Sequence, residues 1–153
     1  MALLADASGA PLRSAAGLTG ARLDPTADIA VAATEPAADE AVLEPLRAYV
    51  RGHATGDPAH FGDAFLPTAH VEGLRDGRFV SWSLDEYRAL FPGRPAPDEP
   101  ARRRRLDAVD VHGGVATAAM TLRPGADTFT DVFLLIRTDA GRRIANKAYH
   151  RHT

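Results

Sequence analysis

The chain has 153 residues, of which 45% are hydrophobic and none is cysteine. This length predicts one domain with its own hydrophobic core, and the lack of cysteine excludes disulfides, thiolate nucleophiles and cysteine-bound zinc. We therefore expect a reducing, cytoplasmic environment. The 18 basic and 20 acidic residues give a net charge of −2, which provides no overall attraction to nucleic acid or to an anionic membrane. The partners that we expect are a small-molecule ligand and a second copy of the chain in a homodimer.

The first 37 residues differ in composition from the rest of the chain. They are rich in Ala, Gly, Pro, Ser and Thr and show little periodicity, which predicts a flexible or loosely docked N-terminal extension before a domain at 38–153. The short apolar alternation at Ile29 and Val31 leaves a docked strand open as an alternative. The chain has no basic segment of a secretory signal at its start and no run of roughly 18 apolar residues.

Three helices are predicted in the first half of the domain. Residues 39–55 repeat apolar side chains with a helical period, but Pro45 conflicts with a regular helix, so we expect the helix to begin near Glu44 or to kink there. Asp57 and Pro58 predict the start of a short second helix that runs to about Phe65. The third helix opens with a capping box at 83–86.

The second half of the domain predicts strands. A hairpin is expected at 69–82, and longer strands are expected at 104–111, 115–122, 128–137 and 142–152, joined by turns that contain glycine. Helices followed by an antiparallel meander are typical of the α+β class.

Three short stretches resemble a known family. Residues 65–69 (Phe-Leu-Pro-Thr-Ala) and the pair of segments 128–131 and 141–150 are similar to sequences of the NTF2-like (SnoaL-like) superfamily, and within it to the putative lumazine-binding branch. The resemblance covers residues 38–152. It implies a cone in which three helices pack in a strongly curved, mainly antiparallel sheet, with a conical cavity between them.

Asp131 is the first candidate for a functional side chain, because it interrupts a strand that is otherwise apolar. A buried carboxylate costs free energy unless it is paired. One interpretation is a cross-strand ion pair with Lys147 that fixes the strand register, and the other is a general base or substrate anchor. The faces of the last strand are expected to divide as Ala145, Lys147 and Tyr149 on one side and Ile144, Asn146 and His150 on the other.

His70 is the second catalytic candidate. The resemblance implies that a polar side chain at this place can enter the cavity, where an imidazole near Asp131 would form a proton-transfer dyad. The alternative is a histidine whose ring is satisfied by backbone atoms. The candidate ligand-binding residues are Tyr49, Trp82, Tyr87, Phe91, Phe129, Phe133, Asn146, Lys147 and Tyr149. His150 and His152 share a strand face but lack a third ligand, so no metal site is predicted, and no cofactor is expected.

The resemblance implies a small-molecule-binding protein, and it leaves open whether the protein is also a cofactor-free isomerase, dehydratase or cyclase that uses acid–base residues in the cavity. The competing hypothesis is a non-catalytic ligand-binding or dimerisation module. Convergence of Asp131 and His70 on one cavity would favour the first, and full pairing of Asp131 with Lys147 would favour the second.

Deletion of residues 1–37 is expected to leave the domain nearly as stable as the full chain, because their composition predicts few buried contacts. Limited proteolysis should remove this segment first. The melting temperature of the truncated chain should stay within about 2 °C of the full-length value. A loss of more than about 5 °C would show that the segment docks on the domain and stabilises it.

Overall fold

The computed structural model describes residues 21–22 and 38–152. The alternation at Ile29 and Val31 lies outside the described residues, so the docked strand that it suggested stays a prediction. The helices are α1 (Ala38–Thr55), α2 (Ala59–Ala64) and α3 (Leu84–Arg88), with a 3-10 turn at Glu99–Ala101. The strands are β1 (Ala21–Arg22), β2 (Phe65–Arg75), β3 (Arg78–Ser83), β4 (Arg103–His112), β5 (Val115–Arg123), β6 (Thr128–Thr138) and β7 (Gly141–His152).

The strands of the described residues form one curved sheet in the order β1-β4-β5-β6-β7-β2-β3. Neighbouring strands are antiparallel, except that β2 and β7 run parallel to each other. The helices pack on the concave side, where the buried aromatic and aliphatic side chains form one core. The predicted α+β class and the mainly antiparallel sheet are confirmed.

Helix α1 extends through its internal proline. It begins at Ala38, so the expectation of a start near Glu44 was wrong. Val42, Leu46 and Tyr49 are fully buried on the side that faces the sheet. We attribute the unbroken helix to this burial, because the packing of an apolar face outweighs local propensity in most protein helices.

The two shorter helices are fixed by local contacts. A β-carbon placed on Gly52 of α1 would lie 2.6 Å from the Phe61 ring of α2, so only glycine lets the two helices approach this closely. The predicted capping box of α3 is confirmed, since Ser83 Oγ accepts from the Glu86 amide at 3.2 Å and the Glu86 carboxylate accepts from the Ser83 amide at 2.8 Å.

A bulge in β7 places some of its residues on the side of the sheet opposite to the predicted one. Leu135 pairs with Ile144 while Leu134 pairs with Asn146, so β7 has one extra residue, Ala145, at this point. The extra residue turns Ile144 to the concave side, where it is fully buried near Lys147. The assignment of Ile144 to the face of Asn146 was therefore wrong, because it assumed an uninterrupted two-residue period.

The convex face of the sheet leaves apolar side chains exposed. Val132, Leu134 and Ile136 alternate along β6 with exposed fractions of 48%, 43% and 36%, and Val115 of β5 lies directly opposite Ile136 at 43%. The outward positions beside these residues are Thr117 and Ala119 of β5 and Thr130 of β6, so this patch of the two strands is uncharged. Among the described residues, no helix has the length and apolar content that a membrane crossing requires.

The homodimer stays a prediction, and this convex patch is the surface on which we place it. A Leu134→Glu substitution should shift the mass measured by light scattering at micromolar concentration from dimer to monomer, because a charge would be buried in an apolar interface. Leu90→Glu serves as the matched control, since Leu90 is 54% exposed and follows α3. A monomeric unmodified chain would contradict the prediction.

Candidate functional site

A cavity of about 500 Å³ opens between the concave face of the sheet and the helices. Aromatic and ionisable side chains make up most of its lining: Tyr49, His53, Arg75, Asp76, Trp82, Tyr87, Arg102, Arg103, Arg104, Arg123, Asp127, Phe129, Asp131, Lys147, Tyr149 and Arg151. Tyr49, Asp131 and Lys147 are buried at its inner end, whereas Arg75 and Arg123 are exposed at its mouth.

The inner end is built around one carboxylate oxygen. Asp131 Oδ2 accepts a hydrogen bond from the Tyr49 hydroxyl at 2.5 Å and lies 2.9 Å from Lys147 Nζ, which also donates to the Tyr49 hydroxyl at 2.7 Å. These three side chains, the buried trio, come from β6, β7 and α1. Within the described residues no donor reaches the second oxygen, Oδ1. The ion pair that one interpretation of Asp131 predicted is therefore present, and it lines the cavity.

The register explains how the pair forms. Asp131 lies directly opposite Tyr149, and Lys147 lies opposite Phe133, so the ammonium reaches diagonally across the β6–β7 ladder. Its nitrogen lies 4.9 Å from the Tyr49 ring centre, 5.5 Å from that of Tyr87 and 5.8 Å from that of Tyr149, within the range of cation–π attraction. Lys147 is also the only lysine in the sequence.

Burial and the neighbouring charges shift the pKa values of Lys147 and Tyr49. Desolvation lowers the pKa of Lys147, but the Asp131 charge and the Tyr87 hydroxyl more than offset this, so the pKa is raised and the ammonium stays protonated. Desolvation, and next the Asp131 carboxylate, hold the pKa of the Tyr49 phenol well above its usual range. Tyr49 is therefore a hydrogen-bond donor at neutral pH.

His53 is a cavity residue that the sequence analysis missed as a site residue. Its Nε2 lies 2.7 Å from the Tyr87 hydroxyl, and its ring packs 4.7 Å from that of Tyr49. Burial, followed by the charges of Lys147 and two arginines, lowers the pKa of His53 well below its usual range. The imidazole is neutral near pH 7. The available signal was its spacing of four residues from Tyr49, which places both rings on one side of α1.

An aromatic wall covers one side of the cavity. The Trp82 and Tyr149 rings are nearly parallel, with 14° between their planes and 6.2 Å between their centres. The Tyr149 ring lies over Gly73 of β2, where a β-carbon would be only 2.6 Å from it. Glycine at this position is what allows the tyrosine to turn into the cavity.

The structure brings together most of the predicted ligand-binding residues. Those that line the cavity are Tyr49, Trp82, Tyr87, Phe129, Lys147 and Tyr149, together with Asp131. Phe133 is fully buried against Tyr49, and Phe91 packs on Phe61, so both support the site from outside the cavity. Asn146 lies on the convex side, where it donates to Glu72 at 3.3 Å.

His70 is not brought to the cavity. It is exposed on the convex face of β2 between buried Ala69 and Val71, and a ring nitrogen lies 3.2 Å from the backbone oxygen of Thr68. The two-residue period of the strand turns it away from Asp131. The structure therefore contains no His70–Asp131 dyad, and the alternative of a backbone-satisfied histidine fits its position.

The histidines at the end of β7 form a separate feature. The His150 and His152 rings lie 4.8 Å apart, and His152 Nε2 contacts Thr130 Oγ1 at 2.8 Å. Across the described part of the chain, no group of three or more His, Cys, Asp or Glu side chains is placed to hold a metal ion.

Three solved structures resemble this one, and each is described as an NTF2-like protein of unknown function. Those from Silicibacter pomeroyi DSS-3, Shewanella baltica OS155 and Methylobacillus flagellatus KT each give a TM-score of 0.67, with 19%, 21% and 22% identity. The matches cover 76%, 78% and 78% of this chain and 100%, 99% and 97% of theirs. The chain thus has the NTF2-like fold.

The family described as putative lumazine-binding matches residues 37–150. The chain belongs to this family, as the resemblance in the sequence indicated. Comparison with curated proteins finds no match.

Loss of either partner of the ion pair should destabilise the domain, because it leaves one buried charge without its counter-charge. We expect Asp131→Asn and Lys147→Met each to lower the free energy of unfolding by about 3 kcal/mol, and the double variant to recover much of that loss. Urea unfolding of the three variants measures the coupling. The exposed pair Arg151–Asp127, 3.0 Å apart, is the matched control and should show coupling below about 1 kcal/mol. Additive losses at Asp131 and Lys147 would contradict the prediction.

His53 should make stability depend on pH below its unfolded-state pKa of about 6.5. Because burial lowers the folded-state pKa, the unfolded chain takes up a proton that the folded chain does not, and stability is lost as pH falls. When the pH falls from about 7.5 to 5.5, the free energy of unfolding measured in urea should decrease by about 1 kcal/mol more for the unmodified chain than for His53→Gln. His152→Gln, at an exposed position, should behave like the unmodified chain. An unchanged pH dependence in His53→Gln would refute this.

Proposed function

We propose that this protein binds a small planar heterocyclic molecule in its conical cavity. The observation that carries the proposal is the combination of the aromatic wall with the buried trio inside one cavity of about 500 Å³. Pockets of this size, mainly apolar and with a few convergent polar groups, are typical binding sites for small molecules.

Different lining residues would contact different parts of the ligand. Trp82 and Tyr149 offer near-parallel ring faces against which a flat ring system can stack. Lys147 has a third ammonium hydrogen for a ligand carbonyl once Asp131 and Tyr49 have taken two, and Asp131 Oδ1 can accept from a ligand N–H. A bicyclic ring with adjacent carbonyl and N–H groups satisfies both requirements. Lumazine has this chemistry, and the family description makes it the first molecule to test.

Acid–base catalysis on such a ligand is the second candidate function, which would make the protein a cofactor-free isomerase, dehydratase or cyclase. It is favoured by the free acceptor oxygen of Asp131, Oδ1, beside Lys147, whose raised pKa keeps the ammonium protonated near neutral pH. In this mechanism Asp131 Oδ1 removes a proton from the ligand, and Lys147 stabilises the negative charge that develops on a neighbouring oxygen. His70 has no part in it, because it lies on the opposite face.

Calorimetric titration with lumazine tests the binding proposal. We expect one saturable site per chain, and we expect Tyr149→Ala to weaken it by about fivefold through the loss of stacking. Phe79→Ala is the matched control, because Phe79 is an aromatic residue that is 69% exposed and does not line the cavity. No binding of lumazine, together with no change in Trp82 fluorescence on adding a panel of planar heterocycles, would refute the proposal.

The catalytic candidate is tested separately with the ligand in deuterated water. Exchange of a ligand C–H followed by proton NMR should be accelerated by the protein and lost in Asp131→Asn. Tight binding without any exchange would leave the non-catalytic binding function and exclude this chemistry for that ligand.

A further inference from the structure

The mouth of the cavity lies at one end of the strands, and arginines collect there. Five strand ends meet at this edge, as the pairing registers require: the end of β2, the start of β3, the start of β4, the end of β5 and the end of β7. They carry Arg75, Arg78, Arg103, Arg123 and Arg151 respectively. The topology therefore concentrates basic residues that are far apart in sequence.

Two pairs of these arginines face each other directly. Arg103 lies opposite Arg123 in the β4–β5 ladder, and Arg75 lies opposite Arg78 in the β2–β3 hairpin. Like charges at directly opposed positions of an antiparallel pair are destabilising. Such an arrangement is expected where a bound anion offsets the repulsion.

Internal carboxylates neutralise only part of this charge. Arg104 donates to both carboxylate oxygens of Glu99, at 2.5 and 2.9 Å. The guanidinium groups of Arg102 and Arg151 each lie 3.0 Å from a carboxylate, that of Asp98 and that of Asp127 respectively. Within the described residues, no acidic side chain forms an ion pair with Arg75, Arg103 or Arg123, which we call the arginine rim. Seven cationic but only three anionic side chains line the cavity, although the whole chain has a net charge of −2.

We infer that the ligand is an anion whose planar body stacks on Trp82 and Tyr149 while its carboxylate, sulfonate or phosphate group lies at the mouth against the arginine rim. This inference rests on the proposed binding function and specifies its ligand class. Guanidinium groups bind oxyanions by paired, charge-assisted hydrogen bonds, so the rim selects for charge as well as position. A neutral analogue of the same shape binds more weakly.

Two fluorescent probes that differ by one sulfonate test this selection. They are 8-anilinonaphthalene-1-sulfonate and its uncharged counterpart N-phenyl-1-naphthylamine, and both report binding through their emission and through energy transfer from Trp82, the single tryptophan of the chain. The expected result is about tenfold tighter binding of the sulfonate at low salt. Raising the ionic strength from about 0.01 M to 0.15 M should reduce this preference, because the rim is exposed and its charges are screened.

Variants locate the effect. The double variant Arg75→Gln/Arg123→Gln should lose most of the preference for the sulfonate. Its affinity for the neutral probe should stay within about twofold of that of the unmodified chain. Arg137→Gln is the matched control, because Arg137 is exposed at the opposite end of the sheet. Equal binding of the two probes, unchanged by the rim substitutions, would overturn the anion inference while leaving the binding function intact.

Failure of the binding function has a different signature. Leu122→Trp fills the cavity from β5, and its fold is checked by its melting temperature. This variant should lose affinity for both probes. If neither probe binds the unmodified chain, or if both bind a folded Leu122→Trp variant as well as the unmodified chain, the cavity is not the site and both proposals fall.

Discussion

A buried ion pair between β6 and β7, bonded to the Tyr49 hydroxyl, joins the sheet to helix α1. Asp131 and Lys147 lie 2.9 Å apart with almost no exposure to solvent, and the Tyr49 hydroxyl closes the triangle. Moving two such charges out of water costs several kcal/mol each, which their mutual attraction offsets only when the geometry is good and the other polar atoms are satisfied. The contacts therefore constrain β6, β7 and α1 to one relative position.

The same constraint shapes the cavity. Because the Tyr49 hydroxyl of α1 bonds to Asp131 and Lys147 of the sheet, the helix is joined to the sheet at the inner end of the cavity, where these charges lie. Beyond that point the lining is aromatic, and its orientation depends on small residues as well. Gly73 admits the Tyr149 ring, and Gly52 admits Phe61, which packs behind Tyr49 and His53. The result is a polar inner end, an aromatic wall and a basic mouth in one cavity.

The net charge of the chain does not predict the charge at the mouth of the cavity. The nearly balanced sequence excludes a strong overall field, and that conclusion holds for the chain as a whole. Locally, strand pairing brings Arg75 and Arg123 to one edge, while Asp98, Glu99 and Asp127 are already engaged by other arginines. The field that a ligand meets at the cavity mouth is therefore positive, because the topology sorts the charges and the composition does not.

The sequence by itself determined the features that rest on local rules. The α+β class followed from the order of helices and strands, the capping box of α3 from four neighbouring residues, and the alternatives for Asp131 from its apolar strand. Only the tertiary structure decided which face each strand residue occupies. His70 points outward because it alternates with buried Ala69 and Val71, and Ile144 points inward because the extra residue Ala145 interrupts the two-residue period. The site required contacts between residues as distant in sequence as Tyr49 and Lys147, which no local pattern encodes.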